Sequence, residues 1–400
     1  MDGTKKILFV EDDVLIARIY RPRLEEAGFQ VAVAEDGLAA MKLLMDYKPH
    51  IVVLDLLMPK MTGVDVIKFI RAQPQLKSTP VVVFSNGFLQ KIWQEAAAVG
   101  VQQMVLKSSA TPAQLIELLN GLLKPGSVGA GKSSASAASP QSTVASGTAS
   151  RESAAGFRDR IRRDFFAQIP TISRSLQCAC QGFVTAPRGP ENLLRLEELR
   201  RRSGFLTHMT GMAGSYRIAQ LSSALEALLF ELQFNPASST SSVLHTISST
   251  VDLLVASLAR ALEPDEQCLS PTHILLVDDD NVSKHTLMLS LARANLKTDA
   301  VGDALPALEK LRSNFYDVAI LDINLPGMTG IALCQEMRKM PAHEKTPVIF
   351  ITSYAEFEPL ARSILKGGDE LIGKPIMPVE LTVKVIAQLL KRRLQMTPAT

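Results

Sequence analysis

Four chemically pointed residues occur twice in this chain at one fixed displacement. Asp12, Asp55, Ser85 and Lys107 recur as Asp279, Asp322, Thr352 and Lys374, each 267 positions further on. No insertion or deletion separates the members of either set, so two copies of one domain must fit into the 400 residues. The surroundings repeat as well. Ile7 to Val10 leads into Glu11-Asp12-Asp13, and Ile274 to Val277 into Asp278-Asp279-Asp280. Ile51 to Leu54 delivers Asp55, and Val318 to Leu321 delivers Asp322. Val81 to Phe84 and Val348 to Ile351 deliver the hydroxyl residues; Met104 to Leu106 and Leu371-Ile372 precede the lysines. Short, continuous, β-branched runs predict strands covered on both faces. Helical patterns such as Val14 to Ala27 and Val64 to Arg71 lie between them. That alternation predicts a parallel sheet with right-handed crossovers, whose sites form at the carboxyl ends of the strands. All four chemical residues of each copy stand at such ends.

Each residue type has a physical reason to be there. Clustered carboxylates repel one another and stay ionised with a cation present. Hard oxygen ligands in a small site suit Mg²⁺, which keeps several waters and bridges carboxylate to phosphate. An Asp carboxylate can attack phosphorus to give an aspartyl phosphate. Phosphoryl transfer needs positioning and charge neutralisation, which a divalent ion and one lysine supply. A hydroxyl can bond a phosphate oxygen, and its movement can report the modification.

This constellation resembles the receiver domain of two-component response regulators. The resemblance implies that Glu11 and Asp12 bind Mg²⁺ together with Asp55, that Asp55 is phosphorylated, and that Ser85 and Lys107 contact the phosphoryl group. It implies the same roles for Asp278 and Asp279 with Asp322, for Asp322 as acceptor, and for Thr352 and Lys374. The segments Met58-Pro-Lys-Met-Thr-Gly63 and Leu325-Pro-Gly-Met-Thr-Gly330 also fit the family. The fold class expected is α/β: two doubly wound (βα)5 flavodoxin-like receiver domains separated by an all-α helical bundle. The expected boundaries are 1–124 for the first receiver, 125–156 for a Ser/Ala/Gly linker, 157–266 for the helices and 267–400 for the second receiver.

The copies depart from the family pattern at definite points. The family has Lys-Pro with a cis peptide; the second copy keeps Lys374-Pro375, and the first has Lys107-Ser108, where a cis bond costs about 3 kcal/mol. The family's switch aromatic, three residues before the lysine, is Met104 in one copy and Leu371 in the other. Two positions after the acceptor, Leu57 is apolar and Asn324 polar. That position borders the acyl phosphate and influences the approach of hydrolytic water.

A formal net charge of +3 on this length indicates neither a nucleic-acid nor a membrane footprint. No run of eighteen apolar residues exists, and the first strand begins by Ile7. Neither a membrane span nor a signal peptide is expected, and the chain reads as cytoplasmic. Cys178, Cys180, Cys268 and Cys334 form no framework and read as reduced thiols. Between Gly126 and Gly156 the chain is mostly Ser, Ala, Gly and Thr, a tether by composition. Within it, Gly126 to Ser133 matches the phosphate-loop pattern G-x₄-G-K-[ST]. A working loop follows a strand and opens a helix; this one follows the helical pattern Pro112 to Leu123 and runs into low complexity, so no nucleotide site is expected.

The middle of the chain has helical patterns at Phe157 to Ile169, Ile172 to Phe183, Glu191 to Thr210, Tyr216 to Phe234 and Ser242 to Leu262. Packed antiparallel, they predict a four-helix bundle with an extra leading helix. The stretch Thr207-His208-Met-Thr210-Gly211-Met-Ala-Gly214 resembles, in degenerate form, a histidine phosphotransfer domain. That family carries a surface His, then Lys three and Gly four residues later. Placing Gly211 on the family's glycine puts Thr207 where the histidine belongs and leaves His208 rotated by about 100° on the helix. Arginines at 158, 160, 162 and 163 and at 200–202 interleave with Asp159, Asp164, Glu197 and Glu198. They read as solvated helix faces with i,i+4 pairs rather than a DNA or RNA surface.

The expectation is a two-component or phosphorelay regulator with Mg²⁺-dependent phosphorylation on Asp55 and Asp322. A histidine kinase or histidine phosphotransfer protein would donate, output would be protein–protein, and no separate enzymatic domain, nucleic acid or membrane would be involved. Two alternatives stand beside it. One is a phosphate sink or relay intermediate. The other is an Asp-nucleophile phosphohydrolase, against which Leu57 and Asn324 count, since such enzymes need a second acid near the nucleophile.

Overall fold

The computed structural model describes residues 4–58, 61–85, 90–107, 110–123, 154–186, 189–260, 272–352 and 370–396. The chain divides into two compact units, one built on the first sheet and one joining central helices to a second sheet. The stretch 124–153, with its phosphate-loop match, lies outside the described residues, as do Ser108 and Cys268.

The first unit alternates strictly. Its elements are β1 (Lys6–Val10), α1 (Val14–Glu26), β2 (Gln30–Ala34), α2 (Gly37–Tyr47), β3 (Ile51–Leu54), α3 (Gly63–Ala72), β4 (Val81–Ser85), α4 (Gln90–Val99), β5 (Gln103–Leu106) and α5 (Pro112–Leu122). The strands pair in parallel in the order β2-β1-β3-β4-β5. Successive side chains point to opposite faces, and helices cover both. Leu8, Val10, Val52, Leu54, Val81 and Val83 pack with Leu44, Val64, Ile67 and Ile70. Ile7, Phe9, Ile51, Val53, Val82 and Phe84 pack with Ile16, Tyr20, Leu115 and Leu119. That is why these strands read as unbroken apolar runs. Local signals set the helix starts. Thr62 and Asp65 form a capping box before α3, and Thr111 and Gln114 form another before α5.

The second sheet repeats the plan through β6 (His273–Val277), α10 (Asn281–Arg293), β7 (Lys297–Val301), α11 (Ala304–Ser313), β8 (Val318–Asp322), α12 (Gly330–Arg338), β9 (Val348–Thr352), β10 (Glu370–Gly373) and α13 (Pro378–Met396). Its strands run parallel in the order β10-β9-β8-β6-β7. Two further pairs keep the 267 displacement. A Cβ on Gly63 would collide with the carbonyl oxygen of Asp55, and one on Gly330 with that of Asp322. Glycine is needed there because the turns after β3 and β8 double back onto those strands. Arg71 donates to the carbonyls of Lys77, Thr79 and Gly100, and Arg338 to those of His343 and Thr346. Each guanidinium ties the end of its helix to the loop entering the next strand. The Lys374-Pro375 peptide is cis.

Four helices lie between the sheets in sequence: α6 (Ala154–Thr185), α7 (Pro190–Met212), α8 (Tyr216–Phe234) and α9 (Ser241–Arg260), with a 3-10 turn at Pro236–Ser238. The separate leading helix expected before Pro170 is part of α6, which runs through the proline. A proline inside a helix loses one backbone bond and costs about 3 kcal/mol. Phe165, Leu176, Cys180 and Phe183 nevertheless share one buried face across it, so a single apolar stripe favours continuation. Arg200 also departs from the solvated-face expectation. Arg201 and Arg202 pair with Glu198 at the surface, whereas Arg200 is buried 3.7 Å from Glu226 of α8. By length and composition α9 could cross a membrane, yet more than half of it is buried. It packs on α8 and α13.

The seam between α9 and α13 is polar at its centre. α13 is buried without interruption from Glu380 to Leu390, because one side meets the sheet and the other meets α8 and α9. Ser242 Oγ donates to Glu380 Oε1 at 2.6 Å and Thr246 Oγ1 to the same oxygen at 2.9 Å. Burial pushes the Glu380 carboxyl above its usual range, outweighing Lys384 and the two hydroxyls. A carboxyl raised in the folded state costs stability wherever it must ionise, and the cost vanishes below its unfolded value. Glu380→Gln keeps an accepting oxygen and removes the charge. It is expected to raise the melting temperature at about pH 8, with a gain that shrinks toward about pH 4. Calorimetry across that range checks the sign.

Candidate functional site

At the carboxyl edge of the first sheet, β1 presents Glu11, β3 presents Asp55, β4 ends on Ser85 and β5 leads into Lys107. The Lys107 ammonium lies 2.5 Å from Asp55 Oδ2 and 2.7 Å from Glu11 Oε1. Ser85 Oγ donates to Asp55 Oδ1 at 2.5 Å, and the backbone N–H of Leu57 donates to that oxygen at 3.0 Å. Burial alone would raise the Asp55 pKa; Lys107, the Leu57 N–H and the Ser85 hydroxyl together hold it below the ordinary range. Asp55 is therefore an ionised carboxylate fixed at both oxygens. Glu11 goes the other way: burial pushes it well up, against the pull of Lys107.

The second edge is built alike and differs in detail. Lys374 Nζ lies 2.5 Å from Asp322 Oδ2 but 3.9 Å from Asp278. The backbone N–H of Asn324 donates to Asp322 Oδ1 at 3.0 Å, as Leu57 does to Asp55. Thr352 is buried at the end of β9, and its carbonyl accepts from the Lys374 N–H at 2.7 Å. The Lys374 side chain is 37% exposed against 3% for Lys107. Burial raises the Asp278 carboxyl. On Lys374, burial pulls downward, and the bond to Asp322 with the charges of Asp278, Asp322 and Asp279 raises it overall.

Ser283 and Lys284 were not singled out by motif, yet both touch this site. Ser283 Oγ donates to Asp278 Oδ2 at 3.0 Å, and Lys284 Nζ to the Asp278 carbonyl at 3.1 Å. The first copy has Ile16 and Ala17 at those positions. No sequence pattern marks Ser283 or Lys284: a single first-turn hydroxyl can turn back toward the strand it follows, and only the structure shows that it does.

The residues fit a divalent cation in both copies. One ligand atom each from Glu11, Asp12 and Asp55 lies within 4.8 Å of the others, and Asp278, Asp279 and Asp322 form the same triple. Glu11 Oε2 is buried with no hydrogen-bond partner among the described residues, an acceptor that a cation would satisfy. All-carboxylate donor sets of this size suit Mg²⁺.

His208 and Thr207 both lie on α7, and both are buried, as is Thr210. The Thr207 and Thr210 hydroxyls donate to the carbonyls of Ser203 and Leu206 on the preceding turn. Neither candidate for the phosphotransfer histidine position stands at the surface.

The family model for the response regulator receiver domain matches residues 7–120 and 274–386. The transcriptional regulatory protein CseB of Streptomyces avermitilis is 32% identical over 118 residues, which is 30% of this chain and 49% of that protein. The response regulator ArlR of Staphylococcus saprophyticus is 33% identical over 118 residues, 30% of this chain and 52% of that one. The chain thus spans about half the length of the curated relatives it matches. Among solved structures, the chemotaxis response regulator CheY4 of Vibrio cholerae aligns at 30% identity over 30% of this chain and all of its own, with a TM-score of 0.29. The two matched segments together exceed half of the 400 residues and carry both acidic edges, so the chain belongs to the response regulator receiver family.

Proposed function

We propose that this two-component response regulator accepts phosphoryl groups on both Asp55 and Asp322. The observation that carries the reading is the pair of acceptor carboxylates, each held 2.5 Å from a lysine ammonium beside two further acids. In each copy an acceptor oxygen attacks the phosphorus of a phosphohistidine as its P–N bond breaks, and the imidazole leaves with a proton from solvent. Lys107 or Lys374 contacts a phosphoryl oxygen, and Ser85 or Thr352 bonds another. Mg²⁺ held by Glu11, Asp12 and Asp55, or by Asp278, Asp279 and Asp322, would neutralise charge on the transferring group. The donor is a histidine kinase or a histidine phosphotransfer protein, and output is protein–protein: phosphorylation shifts the chain between two surface states. The chain is proposed to divide at 1–124, 125–156, 157–266 and 267–400, to act in the cytoplasm, and to bind neither nucleic acid nor membrane. Leu57 and Asn324 put no acid two residues after the nucleophile to protonate a leaving group, which disfavours a phosphohydrolase.

Incubation with acetyl phosphate and Mg²⁺, followed by mapping of modified residues, tests this reading. Label on both aspartates that disappears with excess chelator is the expected result. In the same assay with a cognate donor, His208→Ala is expected to leave both labels unchanged, because a buried imidazole cannot be aligned with a partner's aspartate. Acid-labile phosphate trapped on His208 when both aspartates are replaced would make the helices an active relay.

The two acyl phosphates are expected to differ in lifetime. Leu57 is buried beside its acceptor, whereas Asn324 is exposed and can hold a water. Decay of label at Asp55 should be slower than at Asp322, followed residue by residue in one sample; equal decay would remove the role given to that position.

A further inference from the structure

We infer that Ser242, on a helix outside the second receiver, is a positioning residue for that receiver's phosphoryl-contacting lysine. The inference rests on the function proposed above and extends it to a residue of the helical segment. Ser242 is buried in the first turn of α9. Its Oγ accepts from the backbone N–H of Gly373 at 3.4 Å while donating to Glu380 Oε1 at 2.6 Å. Gly373 is the last residue of β10, immediately before Lys374. Glu380 lies on α13, just beyond the turn that Lys374 begins. One hydroxyl therefore ties both ends of the lysine turn to α9, and Thr246 fixes the same Glu380 oxygen at 2.9 Å.

The lysine needs that support more than its counterpart does. Lys107 bridges two buried carboxylates at 2.5 and 2.7 Å. Among the described residues Lys374 makes one close contact, stands 3.9 Å from Asp278 and is 37% exposed. Its side chain is held less from within the receiver, so the backbone carrying it matters more. The two strands differ in the same sense. β10 is buried along its length, while Gln103 and Leu106 at the ends of β5 are exposed. A charge placed by its backbone acts on a developing phosphoryl charge only within narrow geometry. The α9 hydroxyl is thus part of what fixes the rate of phosphoryl acceptance at Asp322 and has no counterpart role at Asp55.

The test uses the full chain, with Asp55 as an internal reference. Wild type, Ser242→Ala and Thr246→Val are labelled with acetyl phosphate and Mg²⁺, rates at Asp55 and Asp322 are read from the same samples, and melting temperatures are measured. Thr246→Val removes that hydroxyl's bonds to Glu380 and to the Ser242 carbonyl but leaves the Ser242 hydroxyl joined to Gly373. The expected result is an Asp322-to-Asp55 rate ratio lowered about threefold or more in Ser242→Ala and nearly unchanged in Thr246→Val. Ser242→Thr, which keeps a hydroxyl, is expected to recover the ratio in part. Equal ratios in wild type and Ser242→Ala overturn the inference, as do equal falls in Ser242→Ala and Thr246→Val that follow their melting temperatures. No label at Asp322 in the wild type would instead defeat the phosphoacceptor reading itself, and the inference with it.

Discussion

Asp322→Asn is expected to abolish label in the second receiver while leaving the first at its normal yield, and Asp55→Asn to do the converse. The amide keeps the shape and one accepting oxygen but lacks the charge that makes an attacking nucleophile. Asp55 and Asp322 each have their own lysine at 2.5 Å and their own pair of acids, so each variant is expected to silence its own copy alone. Loss in each single variant should be effectively complete, and the double variant should carry no acyl phosphate. Intact-mass measurement after acetyl phosphate treatment decides it. Residual label at normal yield in the double variant would remove both aspartates from the acceptor role.

The second large effect concerns stability. Glu370 of β10 lies 3.1 Å from Lys384 of α13, with both side chains almost wholly buried. Gln388 donates to its other oxygen at 3.3 Å, and Lys391 and His245 lie 3.8 Å away. Burial alone would raise the Glu370 carboxyl; Lys384 and Lys391 outweigh it and hold the pKa low. Removing one member of a buried pair leaves the other charge uncompensated, at a cost of about 3–5 kcal/mol. Glu370→Ala is expected to destabilise the second unit by that order, read as a lowered denaturant midpoint. The sign with pH follows from the depressed carboxyl. The pair contributes its stability above the unfolded value and loses it as pH falls through the folded one. The difference between wild type and variant should therefore narrow in acid.

Much of this molecule was legible because its information is local. A strand covered on both faces must be apolar throughout, so Ile51 to Leu54 and Val318 to Leu321 announced themselves, and the chemical residues followed at their ends. Asp55 and Asp322 each meet a lysine and two further acids in space, as the doubled spacing required. Other features depend on partners the chain does not place nearby. Ser242 and Glu380 are 138 residues apart, and nothing in the text of either segment marks them as a pair. Arg200 sits in a run of three arginines, and only the arrival of Glu226 on the next helix separates it from its two surface neighbours. The patterns Phe157 to Ile169 and Ile172 to Phe183 are one helix through Pro170, because the stripe from Phe165 to Phe183 that overrides the proline's local cost is visible only once the helices have something to pack on. Ser283 was missed for a simpler reason, since one serine in a helix's first turn carries no pattern.

The helix that closes the second receiver also has a bearing on how the chain reaches its fold. α13 supplies a wall to the sheet and a wall to α8 and α9 at once, yet it is made after all of them. Until Pro378–Met396 has left the ribosome, β6 to β10 lack the cover it gives, and the faces of α8 and α9 that it packs on have no permanent partner. Bringing ends together over such separations carries an entropic penalty that grows slowly with length but delays the contacts that repay it. The first sheet needs nothing from downstream to close its own two cores. Synthesis should therefore release a finished amino-terminal domain early. The remainder should then condense in one late step, with a transient demand for chaperones confined to the interval before α13 emerges.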